Sequence, residues 1–395
     1  MIIGIPREIL ENEYRVAALP ESVAEYRKMG FGVLVETAAG AGVHRSDSEY
    51  AAAGAEIATS ASDVFSRSDI ILKVKQPSVN RETAKHEVLM MREGGLLITF
   101  LHPAAPANHE MVRMLRDRNI TSLTMDGIPR ISRAQQMDAL TSMSTVTGYR
   151  SVLLAATHLP RFVPMIGTAI GTVKPARFLV IGAGVVGLQA IATAKRLGAT
   201  VEALDIQEPA RKAAQSLGAK IAGFEVPPEV AADAGGAARA LPAEWLDRER
   251  EAIAAALERA DAVIASALVP GEMAPVLITA AMVSRMKPGS VIIDVSIDQG
   301  GNCALSEAGH EVVREGVFLC GLLNIPGSMP VDASWLYANN VLHYVQNLFK
   351  KGIETPDFED DIVQHTLVTQ QGRIVHAGAL KAMEVSDPSP AGATR

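Results

Sequence analysis

The run Phe178-Leu-Val-Ile-Gly-Ala-Gly-Val-Val-Gly187 carries an apolar strand straight into glycines at 182, 184 and 187 and then into a helical pattern, Leu188 to Leu197. Such a turn suits a pyrophosphate. The first glycine permits the bend, the second admits backbone N–H groups to the phosphates, and the third lets the helix pack on the strand. The helix N-terminus supplies positive charge without a basic side chain. A second expected strand, Thr200-Val-Glu-Ala-Leu204, ends on Asp205, with Ile206 beyond it. A carboxylate there accepts hydrogen bonds from an adenosine ribose and repels a 2′-phosphate. No arginine stands in Ile206-Gln207-Glu208, so the pattern points to NAD rather than NADP, and hence to hydride transfer. The alternative is a glycine turn of an α/β domain that holds no ligand.

A hydride acceptor needs a substrate beside it, in the crevice at the carboxyl ends of the strands. Four polar residues fall in loops after expected strands: Arg15, Lys75, His102 and Asp298. A guanidinium fork holds a carboxylate by two hydrogen bonds. In Lys73-Val-Lys75 the second lysine can donate to a carbonyl or carboxylate, and in Leu101-His102-Pro103 the imidazole can serve as general acid or base. Asp298 stands at the lip of a glycine turn, placed to orient a histidine or to stabilise a developing cation, while mid-strand Asp294 reads as structural. Each has an ordinary alternative: a solvated charge at a strand end, or a histidine hydrogen-bonded for structure alone.

The elements that must carry these groups alternate along the chain. Strands are expected at Ile2 to Ile5, Gly32 to Glu36, Asp69 to Val74, Gly95 to Leu101 and Ile120 to Met125, with helices at Glu21 to Met29 and His109 to Asp117. That is a parallel α/β unit. A long helix from about Met137 to Thr157, small along one face, leads into a second unit with strands at Ala262 to Ser266, Ser290 to Val295 and Val317 to Gly321. Phe224 to Leu257 reads as a solvated insertion, and Ala333 to Lys350 as a helix returning to the first unit. The fold class is therefore α/β, two Rossmann-like parallel-sheet domains around a cleft. Residues 1–140 with 330–385 form a discontinuous substrate domain, 141–329 the NAD-binding domain, and 386–395 a disordered tail.

The 395 residues suffice for two such cores, and 48% apolar residues with a net charge of −7 suit a soluble enzyme rather than a nucleic-acid or anionic-membrane binder. Cys303 and Cys320 give no disulfide framework and no metal-ligand spacing, which fits a reducing cytoplasm. The N-terminus lacks the pattern of a signal peptide, and no apolar run is long enough to span a bilayer.

These motifs together resemble the family shared by alanine dehydrogenase and the alpha subunit of proton-translocating nicotinamide nucleotide transhydrogenase. The resemblance runs from Gly4-Ile-Pro-Arg-Glu8 and Glu13-Tyr-Arg-Val-Ala through Lys73-Val-Lys to Met286-Lys-Pro-Gly-Ser-Val-Ile-Ile-Asp294 and Asn324-Ile-Pro-Gly. It implies NAD against Gly182, Gly184, Val185, Val186 and Gly187, with Asp205 on the ribose and Ser144, Ala267, Leu268 and Asn324 lining the nicotinamide side. Within the family the chain points two ways. Pro129 to Ser142 and Ile362-Val-Gln-His-Thr-Leu-Val-Thr369 look like transhydrogenase, where the residues matching Arg130, Gln135, Asp138 and Thr141 gather around the nicotinamide. Yet Arg15, Lys75, His102 and Asp298 fall on positions that resemble the alanine dehydrogenase set. By that resemblance Arg15 and Lys75 would hold a substrate carboxylate and carbonyl, His102 would move protons, and Asp298 would assist at the reacting carbon.

Oxidising an amino acid requires those functions, so the first expectation is an NAD-dependent dehydrogenase of a small L-amino acid, giving a 2-oxo acid. The second is a detached NAD(H)-binding component of a transhydrogenase, acting with NADP(H)-binding and membrane subunits. Either relative implies a homo-oligomer, a dimer or a hexamer.

Overall fold

A computed structural model describes residues 1–232, 238–269 and 273–386. The tail expected from 386 onward lies outside the described residues, apart from its first residue. The chain divides into two compact units, Met1–Met143 with Gly327–Arg395, and Ser144–Pro326.

The sheet of the first unit runs, in spatial order, Arg373–Ile374, Leu367–Gln370, Thr121–Thr124, Leu96–Thr99, Ile70–Leu72, Ile2–Ile5, Gly32–Glu36 and Glu56–Ala58. The six strands from Thr121–Thr124 to Glu56–Ala58 are parallel. Strands covered on both faces must be apolar throughout, which is why Ile70–Leu72 and Leu96–Thr99 show no alternation and are wholly buried. Leu367–Gln370 pairs antiparallel to Thr121–Thr124, an edge that the sequence pattern did not mark. The hydroxyls of Ser122 and Thr369 meet across it at 2.6 Å. Strand order reverses between Ile2–Ile5 and Ile70–Leu72, the kind of place where open α/β sheets bind ligands at the carboxyl ends of their strands.

In the second unit the order is Lys220–Ile221, Thr200–Leu204, Arg177–Ile181, Ala262–Ala265, Val291–Asp294, Val317–Cys320 and Glu311–Arg314, parallel except for the last. Order reverses here between Arg177–Ile181 and Ala262–Ala265. One apolar layer packs helix Val185–Arg196 on this sheet, and a second lies on the opposite face.

Two expectations need correcting. The helix after the glycine turn starts at Val185, not Leu188, so Val185, Val186 and Gly187 form its first turn. The stretch 224–257, expected as a solvated excursion, lays one face on the core, with Phe224, Val226, Ala231, Ile253, Ala256 and Leu257 buried, while most of its other described residues are exposed or half-buried. The physical reason is the parallel crossover. A strand joined in parallel to its neighbour needs a returning helix, and Ala243–Leu257 is that helix.

Candidate active-site residues

Gly182 has φ +85°, and a Cβ there would stand 2.9 Å from Ala267 N, so the turn tolerates only glycine. At Gly187 a Cβ would lie 1.9 Å from Gly182 O, the close approach that seats the helix on the strand. Among the described residues, nothing lies within 4 Å of a Cβ at Gly184, and no side chain caps the helix that starts there. Free N–H groups beside open space are what a pyrophosphate requires.

Asp205 fastens this turn to the next strand. Its Oδ2 accepts the Ala183 N–H at 2.6 Å and its Oδ1 the Gln207 N–H at 2.7 Å. Burial pushes its carboxyl up, while those two bonds and Arg211 hold it back. Arg211, in the first turn of helix Glu208–Ser216, donates to the carbonyls of Asp205 and Ile206 at 3.0 and 2.9 Å.

Sequence reasoning missed Asn302. Wholly buried, it accepts the Ala267 N–H at 2.9 Å and donates to the carbonyls of Ala267 and Pro275 at 2.9 Å each, so it fixes the loop that carries Ala267 and Leu268. Its place directly after Gly300-Gly301 was the available signal. Asp294 is structural as expected, accepting the Asn302 and Cys303 N–H groups at 3.0 and 2.9 Å. Ser144, Asn324 and Asp298 also belong to this unit; Asn324 sits at φ +54° and Asp298 is exposed in the short helix Val295–Gln299.

In the first unit, Arg15, Lys75 and His102 follow Ile2–Ile5, Ile70–Leu72 and Leu96–Thr99, three neighbours in the sheet, at their carboxyl ends. Glu8 ties two of these loops together by accepting the Val74 N–H at 2.6 Å. Lys73 is buried between Glu8 and Glu87 at 3.3 and 3.1 Å. Burial opposes its charge, but the two carboxylates outweigh it and hold the ammonium above its ordinary range. Lys75 is half-buried, with its carbonyl accepting from Thr99 Oγ1 at 3.0 Å.

Arg15 is only 3% exposed. Its Nε donates to Glu13 Oε1 at 2.7 Å, its Nη2 to Oε2 of the same carboxylate, and its Nη1 points at Met143 Sδ at 3.0 Å. The fork expected to grip a substrate carboxylate is engaged by one from the protein. The cue was Glu13 itself, two residues away on the same extended segment.

His102 is exposed, has φ +44°, and stacks its ring on Phe100 at 5.9 Å. Asp126, a residue that sequence reasoning missed, holds it twice: Oδ2 accepts the His102 N–H at 2.8 Å, and Oδ1 lies 2.9 Å from the ring Nδ1. Burial would raise the Asp126 carboxyl, but His102 and Thr124 outweigh it and leave it lowered. Asp126 follows Thr121–Thr124, so four strands of one parallel sheet deliver Arg15, Lys75, His102 and Asp126.

Of the remaining candidates, Arg130 and Gln135 are exposed. Asp138 caps helix Ala139–His158, accepting from Thr141 N and Oγ1 at 2.9 and 2.6 Å. No cluster able to hold a metal occurs among the described residues.

A glycine turn at a sheet reversal with an acid on the next strand, in a chain whose other parallel-sheet unit bears a polar loop cluster, defines a nicotinamide-dinucleotide oxidoreductase. The chain belongs to the alanine dehydrogenase/PNT family. Its N-terminal domain model matches residues 4–147 and its C-terminal domain model residues 151–377. The first-part polypeptide of NAD(P) transhydrogenase subunit alpha from Rhodospirillum rubrum is 44% identical over 379 residues, covering 95% of this chain and 98% of that protein. The alanine dehydrogenase of Mycolicibacterium smegmatis is 33% identical, covering 98% and 97%. The crystal structure of a transhydrogenase from Sinorhizobium meliloti superposes with a TM-score of 0.83 at 38% identity, over 95% of this chain and all of that one.

Proposed function

We propose that the chain is the NAD(H)-binding component of an NAD(P) transhydrogenase, of the same type as the Rhodospirillum rubrum alpha-subunit polypeptide. This reverses the order of the two sequence expectations. The observation that carries it is the closed Arg15–Glu13 pair: the guanidinium an amino acid dehydrogenase would turn toward its substrate carboxylate is buried on an internal one. The higher identity to the transhydrogenase relative and the transhydrogenase-like segment 129–142 support the same reading.

A bound nicotinamide supplies the carbon that takes up or releases hydride. The chain's own residues bind and orient. The N–H groups of Val185 and Val186 would hold the pyrophosphate, Asp205 would accept the ribose hydroxyls and favour NAD over NADP, and the loop that Asn302 fixes would place Ala267 and Leu268 on the nicotinamide side. Arg130, Gln135, Asp138, Thr141, Ser144 and Asn324 remain the candidates for the nicotinamide itself.

No helix among the described residues is long and apolar enough to cross a membrane. Separate membrane-embedded and NADP(H)-binding partners would complete the activity, with this chain at the cytoplasmic side. Self-association belongs to the same reading. The hairpin Ile166–Thr168 with Gly171–Val173 exposes Met165, Ile170 and Val173, and Ile170 is 100% exposed. An apolar surface of that kind suits a second copy.

Amino acid oxidation is the second reading, favoured by one observation: an exposed imidazole held by a carboxylate in a left-handed loop is arranged as an acid/base group. There His102 would move protons, Lys75 would donate to the carbonyl, and Asp298 would assist. Purified protein, NAD+ and a panel of L-amino acids decide between the two. The expected outcome is no NADH formation by the chain alone, and hydride exchange between NADH and an NADP+ analogue once NADP(H)-binding and membrane subunits are added. NADH formed from an amino acid by the chain alone would overturn the transhydrogenase reading.

A further inference from the structure

Helix Ala243–Leu257 runs back along the sheet before the parallel strand Ala262–Ala265, so its N-terminal half lies toward the carboxyl ends of the strands, where Asp205 stands. Its residues Ile253, Ala256 and Leu257 join Leu204 and Phe224 in one apolar layer. Glu249 precedes Ile253 by four positions, hence lies on the same face one turn nearer that edge. It is 5% exposed, and among the described residues nothing makes a hydrogen bond or ion pair to its carboxyl.

A buried acid normally has a partner. The cations nearby are committed elsewhere. Arg250 donates to the Val276 carbonyl at 3.0 and 2.8 Å and to Asp247 at 3.1 Å. Arg248 lies over the Trp245 ring at 4.2 Å, and Arg211 serves the carbonyls of Asp205 and Ile206, while Arg259, beyond the far end of the helix, closes on Glu202. What acts on Glu249 is burial first, then the Asp205 carboxylate, with Arg250 opposing; together they push the Glu249 carboxyl up to about 7.

We infer that Glu249 is a specificity-determining second acid behind Asp205 in the adenosine-ribose corner, so that discrimination against a 2′-phosphate strengthens as Glu249 ionises. The inference rests on the reading of Asp205 as the ribose carboxylate. Protonated, Glu249 adds no charge and a 2′-phosphate meets Asp205 alone. Ionised, it places a second negative charge in a partly desolvated corner, and the phosphate is repelled by both. NAD(H), which carries no charge at that position, is affected far less.

The test is equilibrium binding of NADH and NADPH, followed by fluorescence, in the wild-type chain and in Glu249→Gln across pH values on either side of about 7. The 2′-phosphate titrates in both proteins, so the comparison isolates Glu249. The ratio of NADPH to NADH dissociation constants is expected to climb about five- to tenfold more in the wild type than in the variant. Equal climbs in both proteins would overturn the inference while leaving the dinucleotide site intact. Failure of the wild type to bind NADH at all would overturn the site and the inference together. Should Glu249→Gln not fold, Glu249→Met removes the same charge and gives the same comparison.

Discussion

At the scale of single residues, the groups that matter are held in states their side chains would not choose alone. His102 adopts φ +44°, a conformation that costs a residue with a Cβ about 1 kcal/mol. Asp126 and Asn108 hold it there through the backbone N–H at 2.8 Å and the carbonyl at 3.2 Å. His102→Gly should therefore be more stable than His102→Ala by about 1 kcal/mol in urea unfolding, although both lose the ring.

Glu249 gives a pH signature. Its folded-state carboxyl titrates at about 7, above the ordinary 4.5, so its contribution to stability is complete below about 4.5 and is lost as pH rises through 7. The wild type should lose about 2–3 kcal/mol across that window that Glu249→Gln does not, as read from urea midpoints. Lys73 is the opposite case, a charge kept by its partners. Lys73→Met leaves Glu8 and Glu87 buried without a counter-ion and should cost about 3–5 kcal/mol.

At the scale of elements, the glycine turn separates stability from binding. The Cβ that Gly187→Ala introduces would stand 1.9 Å from Gly182 O, so helix and strand must part and at least about 2 kcal/mol of stability goes with NADH binding. Gly184→Ala adds its methyl where, among the described residues, nothing lies within 4 Å. Its melting behaviour should stay within about 1 kcal/mol of wild type while NADH affinity falls about tenfold or more. Calorimetric unfolding alongside NADH titration checks both.

At the scale of the whole molecule, relatives named transhydrogenase and alanine dehydrogenase share this fold, so the fold alone does not separate the two readings. If the exposed hairpin is the self-association element, Ile170→Asp should shift the chain to a smaller species in light scattering without altering its circular dichroism. Unchanged mass would place self-association elsewhere on the surface.

Most of the central strands were legible in the sequence, because strands buried on both faces must be apolar along their whole length. Ile2–Ile5 lies where the pattern puts it, as does Gly32–Glu36 up to its terminal Glu36, while Thr200–Leu204 is placed by its position after the glycine turn despite the half-buried Glu202 within it. The antiparallel strand Leu367–Gln370 was not legible, since its pairing depends on a partner far away in the chain, Leu367 against Leu123. The same division holds for the candidate site. Sequence alone determined the glycine turn, its acid and which loops carry polar groups, because those features depend on local spacing. Only the tertiary structure decided that Glu13 takes the Arg15 fork, that Asp126 and Asn302 hold the loops of His102 and Ala267, and that Glu249 is buried without a partner among the described residues. The physical reason is that pairing and desolvation belong to the space around a side chain: that space is assembled from segments far apart in the chain for His102, Ala267 and Glu249, and for Arg15 and Glu13, close in sequence, it depends on how the loop folds.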